Sequence, residues 1–145
     1  MKCPRVRLKR ISAGATIPAY RHPGDSGADI SAAEGCIIMP GEVAAVSTGL
    51  KAEVPDGFEL QVRPRSGLAL RNGIGVLNSP GTIDSGYRGE IRVILVNLGK
   101  EPFRIRRGDR IAQLVLSPVA RAEFEETSEL SGSRRGSGGF GSTGK

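Results

Sequence analysis

The sequence predicts an all-β protein, a jelly-roll-like β-barrel with one short helix and a mobile C-terminal arm. Three observations carry that expectation. Short strand-like runs alternate with Gly/Pro/Asp turns, which suggests a closed or sandwiched antiparallel architecture. Aromatic residues make up only 4% of the chain and Trp is absent, so the core has to be built from Val, Ile, Leu and Ala. The composition shifts after Arg121, becoming acidic over Ala122–Glu129 and then Gly/Ser-rich over Ser131–Lys145. At 145 residues the chain is long enough for one domain with a real core. It divides into a β-barrel body over residues 1–121 and an arm over residues 122–145.

Strands are expected in order at Arg5–Ile11, Cys36–Met39, Glu42–Lys51, Phe58–Pro64, Gly75–Leu77, Ile91–Asn97, Phe103–Ile105 and Arg110–Pro118. Phe58, Leu60 and Val62 alternate with Glu59, Gln61 and Arg63, the period of a half-buried strand. Turns recur at Pro40-Gly41, Pro55-Asp56-Gly57, Asn72-Gly73 and Gly99-Lys100. One helix is expected from Ser66 to about Asn72, with Ser66 as N-cap and Gly73 as the C-terminal stop. Its N-terminus would present free N–H groups suited to an anion.

The formal net charge of +6 fits either a nucleic-acid surface or a pocket for small polyanions. The basic residues are scattered, apart from Lys2, Arg5, Arg7, Lys9 and Arg10, which read as a solvated edge strand. Cys3 and Cys36 show neither a disulfide framework nor zinc-ligand spacing. His22, the single histidine, has no acidic partner or nucleophile elbow near it and reads as a loop residue. No apolar run is long enough to span a membrane and no secretory leader is evident, so a soluble, cytoplasmic protein without membrane partners is expected.

Five segments could carry chemistry. Pro23-Gly24-Asp25-Ser26-Gly27-Ala28-Asp29-Ile30 places two carboxylates in a Gly-rich loop entering a strand, either an ordinary Asx turn or a group near magnesium-bound phosphates. Arg63-Pro64-Arg65-Ser66-Gly67-Leu68-Ala69 brings an arginine, a hydroxyl and helix N–H groups to one spot, a phosphate cradle or simply a capped helix. Asn78 to Ile91 holds Asp84 and Tyr87 around a tight glycine turn between two strands, read as a hairpin whose backbone could read a base edge. Gly108-Asp109-Arg110-Ile111-Ala112-Gln113-Leu114-Val115 sets Gln113 in an apolar strand, as a phosphate contact or a buried structural amide. Arg135-Gly136-Ser137-Gly138-Gly139-Phe140-Gly141-Ser142-Thr143-Gly144 combines a charged fork, an aromatic face and free glycine backbone. Alone, this last segment is a flexible linker.

Together, in this order and spacing, the five segments resemble the five motifs of the trimeric deoxyuridine triphosphatases (dUTPases). The resemblance runs from about Tyr20 to Gly144. It is nearly letter for letter over Pro64–Ala69, Gly81–Ile91 and Arg135–Gly144. It implies a homotrimer with active sites at subunit junctions, each covered by a C-terminal arm. The implied reaction is Mg²⁺-dependent hydrolysis of dUTP to dUMP and pyrophosphate, which lowers dUTP and supplies the dTTP precursor. Under this resemblance Asp84 orients and deprotonates the attacking water. Tyr87 lies beneath the deoxyribose, and backbone groups from Asn78 through Gly81 and Ile83 to Tyr87 read uracil. Arg65, Ser66 and Gly67 cradle phosphate, with Arg65 alternatively holding motifs together through Asp29. Asp29 meets the Mg²⁺ waters in the outer shell, and Gln113 contacts the α-phosphate. Arg135 pairs with the γ-phosphate, Phe140 stacks on uracil, and Gly141, Ser142 and Thr143 bind terminal phosphate oxygens.

Three rival readings are weaker. dCTP deaminases share the fold but use a glutamate in the strand after the Ile-Asp segment, where this chain has Arg92-Val93-Ile94-Leu95-Val96. A non-catalytic nucleotide-binding member of the fold should lack Asp84 or the arm. A nucleic-acid module would not need the ordered Asp/Tyr/Gln set, and no nucleic-acid partner is expected.

Overall fold

The computed structural model describes residues 3–145. It contains ten strands and one helix: β1 (Arg7–Arg10), β2 (Ala28–Ser31), β3 (Cys36–Ile38), β4 (Val43–Glu53), β5 (Phe58–Arg63), α1 (Ser66–Asn72), β6 (Ile74–Val76), β7 (Gly81–Ile83), β8 (Glu90–Asn97), β9 (Phe103–Ile105) and β10 (Arg110–Pro118). They form two four-stranded antiparallel sheets, ordered β1-β4-β8-β6 and β2-β10-β5-β7, and a two-stranded β3-β9 ribbon. This is the jelly-roll-like β architecture expected from the sequence.

Alternation builds the core. Leu60 and Val62 of β5, Ile91, Val93 and Leu95 of β8, and Ala112 and Leu114 of β10 are buried in one cluster with Ile30, Ile38 and Leu50. The described buried apolar residues are all Ile, Leu, Val or Ala, as the scarcity of aromatics requires. Asn97, fully buried at the end of β8, has its polar groups satisfied. Its amide donates to the carbonyls of Ile38 and Glu101 at 2.9 and 2.8 Å, and its oxygen accepts from Gly99 N–H at 2.9 Å. Of the basic N-terminal stretch, Arg7, Lys9 and Arg10 lie in the edge strand β1, where Arg7 is 3.5 Å from Glu53, Arg5 precedes it, and Lys2 lies outside the described residues.

Three expectations need correction. β2 and β7 are strands of their own, read in the sequence only as a loop entering a strand and as part of a turn. The Asn78–Ile91 segment is not a hairpin of paired strands. β7 pairs with β5, setting Leu60 opposite Ile83, whereas β8 pairs with β4 and β6. Residues 84–89 therefore cross from one sheet to the other, because each flanking strand finds its ladder partner at long range. Finally, Ser66 is not the N-cap. That position is Arg65, extended at φ −94°, ψ 128°, with no side-chain capping bond, and Ser66 already lies inside the helix. Side-chain ties on Arg65, described below, hold residue 65 in its strand-like entry. Gly73 ends the helix as expected, in the left-handed conformation at φ 67°.

Candidate active site

Where β7 leaves one sheet and β8 joins the other, the barrel opens into a cleft of about 360 Å³, lined by Asn78, Gly81, Ile83, Asp84, Tyr87 and the outer side chains of β8. Gly81 and Ile83 are buried and form its floor beside Val62 of β5. Asp84 is exposed at its mouth, one residue beyond the end of β7. The Asp84 carbonyl accepts the Tyr87 N–H at 3.1 Å, which closes the turn and brings the two side chains to one cleft. Tyr87 is 45% exposed as a residue, and its hydroxyl donates to the Glu90 carbonyl at 2.9 Å. Asn78, Gly81, Ile83, Asp84 and Tyr87 thus share one cleft.

A second group forms where β2, β10 and the start of α1 meet. Asp29 pairs with Gln113 across the β2–β10 ladder, and Gln113 pairs with Arg63 across β10–β5. Asp29 Oδ1 lies 3.3 Å from Arg65, and its Oδ2 accepts from Arg110 at 2.8 Å and from Arg21 at 3.4 Å. Arg65 also donates to the Arg110 carbonyl at 3.2 Å. Burial alone would push the Asp29 carboxyl up. The hydrogen bond from Arg110, the charges of Arg65 and Arg110 and the bond from Arg21 outweigh it and hold the group below the usual carboxylate range. The Gln113 amide donates to the Pro64 carbonyl at 2.9 Å, tying β10 to the residue just before Arg65. Ser66 and Gly67 sit in the first turn of α1, with the exposed Ser66 hydroxyl uncommitted to capping. Asp25 is a turn former, its carboxylate accepting the backbone N–H groups of Arg21 and His22 at 3.1 and 2.8 Å.

The C-terminal residues stand apart. Beyond Pro118 the chain has no strand or helix and is almost wholly exposed. Arg135 folds back to donate to the Gly138 carbonyl at 2.8 Å, Phe140 is fully exposed at φ 50°, and Gly141 to Thr143 lie in local turns. Within one chain, Arg135, Phe140, Gly141, Ser142 and Thr143 do not line the cleft that contains Asp84.

Sequence reasoning did not single out Arg21, Arg110, Gly89 or Glu90 as site residues. Arg110, Gly89 and Glu90 stood inside the quoted segments, and an arginine facing Asp29 across a strand pair could have been sought once β2 was recognised. Among the described residues no cluster of three His, Cys, Asp or Glu side chains could hold a metal ion directly. Asp29 accepts hydrogen bonds from Arg110 and Arg21 and is ion-paired with Arg65, so it fits a contact to one metal-bound water, not a ligand to the ion.

Comparison with known proteins gives the family and the fold. The dUTPase family model matches residues 13–144. The deoxyuridine 5'-triphosphate nucleotidohydrolase of Gloeothece citriformis is 54% identical over 140 residues, covering 97% of both chains. The Staphylococcus bacteriophage 80alpha dUTPase, solved with dUPNHPP, is 30% identical and superposes with a TM-score of 0.86 over 97% of this chain and 99% of its own. The dUTPase of phage phi11 of S. aureus shares the fold at 24% identity, with a TM-score of 0.80 over 86% of this chain and 97% of its own, and its structure is described as showing the coordination of a structural Mg(II) ion. With a family match over almost its whole length and relatives above half identity, the chain belongs to the dUTPase family.

Proposed function

We propose that the cleft at Asp84 is where this dUTPase-family chain carries out its reaction, the hydrolysis of dUTP to dUMP and pyrophosphate. The observation that carries the assignment is the shared cleft. A free carboxylate, an aromatic ring and the backbone of residues 78–87 converge where the two sheets separate. Asp84 orients water for attack on the α-phosphorus and takes its proton. An exposed carboxylate is a weak base, so most of its effect lies in positioning. The backbone of residues 78–87 reads uracil. Its donors and acceptors would be left unpaired by cytosine, costing about 1–3 kcal/mol each. Tyr87 underlies the deoxyribose and leaves no room for a 2′-hydroxyl.

Ser66, Gly67 and Arg65 face the phosphates, with Arg65 held in place by Asp29 and the Arg110 carbonyl. Gln113 reaches the α-phosphate from beside Pro64. Magnesium, when bound on the triphosphate, shields charge on the phosphate oxygens, and Asp29 meets its water shell. The geometry thus supports both readings of Arg65, since a tethered guanidinium can still present a free face to phosphate.

The working unit is a homotrimer in which residues 122–145 close over a site on a neighbouring subunit. This is supported by Phe124, Leu130 and Phe140, which are 95%, 89% and fully exposed in a single chain and need cover from elsewhere. Arg135 then meets the γ-phosphate, Phe140 stacks on uracil, and Gly141, Ser142 and Thr143 wrap the terminal phosphates. Closure excludes water other than the nucleophile. No helix is long and apolar enough to cross a membrane. A cytoplasmic location accords with a nucleotide substrate.

The test is pyrophosphate release from dUTP, dCTP, dTTP and UTP in parallel, with and without Mg²⁺. Release from dUTP alone, dependent on Mg²⁺, is expected. Equal release from UTP, or ammonia from dCTP, would overturn the assignment.

A further inference from the structure

The loop that carries Tyr87 contains two glycines of different character. Gly86 is open: a Cβ there would meet nothing within 4 Å. Gly89 is not. A Cβ at Gly89 would lie 2.3 Å from the Tyr87 hydroxyl oxygen, 2.5 Å from Cζ and 2.9 Å from Cε2. Neither glycine has a left-handed φ, so backbone conformation does not demand glycine at either position. What a Cβ at residue 89 would displace is the phenol, which lies back across the chain to donate to the Glu90 carbonyl at 2.9 Å.

That carbonyl is a fixed point. The Glu90 carboxylate accepts from the Ser47 hydroxyl and from the Gly49 N–H at 3.0 Å, filling the irregularity in the β4–β8 ladder between Ser47 and Lys51. The Arg88 guanidinium donates to the carbonyls of Ser85 and Tyr87 at 2.7 and 3.0 Å and holds the turn. The ring is therefore held through its hydroxyl, over a residue whose missing side chain leaves it room.

We propose that Gly89 is a positioning residue that sets the tilt of the Tyr87 ring, and through it the rejection of ribonucleotides. This rests on the reading of Tyr87 as the surface beneath the sugar. A methyl group at residue 89 drives the phenol off the backbone, breaks its bond to Glu90 and opens the volume a 2′-hydroxyl would occupy.

The experiment compares kcat/KM for dUTP and UTP in wild type, Gly89→Ala, Gly86→Ala, Tyr87→Phe and Tyr87→Ala. Ring position is followed separately by NMR in a Tyr20→Phe background, where Tyr87 is the single tyrosine. Gly89→Ala is expected to shift the Tyr87 ring signals and lower the dUTP/UTP ratio at least about tenfold, while Gly86→Ala keeps the ratio within about twofold whatever its overall rate. Tyr87→Phe should lower the ratio by a smaller factor, and it serves as the test if Gly89→Ala does not fold. An unchanged ratio in Gly89→Ala or Tyr87→Phe, with a collapsed ratio in Tyr87→Ala, would overturn the role of Gly89 and leave the sugar contact standing. A ratio that survives in Tyr87→Ala would overturn the sugar contact itself, and the inference with it, even if the NMR signals of Gly89→Ala move.

Discussion

Replacing Asp29 by Asn removes one negative charge from among three guanidinium groups and changes little in shape. The Arg110 hydrogen bond at 2.8 Å is charge-assisted and of a kind that contributes about 1.5–3 kcal/mol. Arg65, with 27% of its side chain exposed and 3.3 Å away, adds about 1 kcal/mol. Arg21 is 58% exposed and adds at most about 0.5 kcal/mol. The three interactions share one carboxylate and do not sum, and the variant leaves the arginines facing one another, so a loss of about 2–4 kcal/mol is expected. At about 3 °C per kcal/mol for a domain of this size, Tm should fall by about 6–12 °C.

The assay is thermal unfolding followed by circular dichroism at one protein concentration, because assembly adds to apparent stability. The pH dependence fixes the sign. The folded Asp29 carboxyl titrates below its ordinary value of 3.8. Its contribution is therefore complete above the unfolded value and is lost as pH falls through the folded one. The gap between wild type and Asp29→Asn should be constant from pH 7 to about 5 and narrow below about 4. An unchanged Tm at pH 7, or a gap that persists at the lowest pH where both proteins fold, would refute the electrostatic account of this junction.

Other predictions concern the reaction. Asp84→Asn should lower kcat for dUTP by at least about 100-fold while calorimetric binding of dUTP persists; loss of both together would indicate a structural role. A chain ending at Arg134 should keep the β-sheet circular dichroism of the body and its oligomeric mass by light scattering, yet lose most activity; full activity would refute closure by the C-terminal residues. Gly27→Ala would place a Cβ 2.0 Å from Gln113 Oε1 and 2.8 Å from its Cδ, pushing the amide off the Pro64 carbonyl. It should reduce kcat/KM for dUTP about tenfold or more, and a crystal structure of the variant with Gln113 undisturbed would defeat that explanation.

Much of the barrel was legible because its signals are local. The alternation of Leu60 and Val62 with Glu59 and Gln61 reappears as buried and half-buried faces of β5, and the bounds of β9 and β10 fall where the pattern placed them. The losses occur where placement is decided by a distant partner. β7 is three residues long, and nothing within Gly81-Thr82-Ile83 says that it pairs with β5 rather than folding onto β8. β2 carries a charged residue in mid-strand, tolerated because Arg110, 81 residues away, reaches its carboxylate across the ladder and Arg65 and Arg21 pair with it as well.

The same division runs through the site. Residues that would touch substrate stand in short segments with a recognisable order. The groups that aim them, Arg110 behind Arg65, Gly27 behind Gln113 and Gly89 behind Tyr87, acquire meaning only once the sheets bring them together. Two of these three are glycines whose function is to be empty, and an empty position leaves no chemical mark in a sequence. Substitution at residue 27 or 89 is therefore the sharper probe of this architecture. It leaves every catalytic group chemically intact, so a loss of rate or selectivity would report on geometry alone.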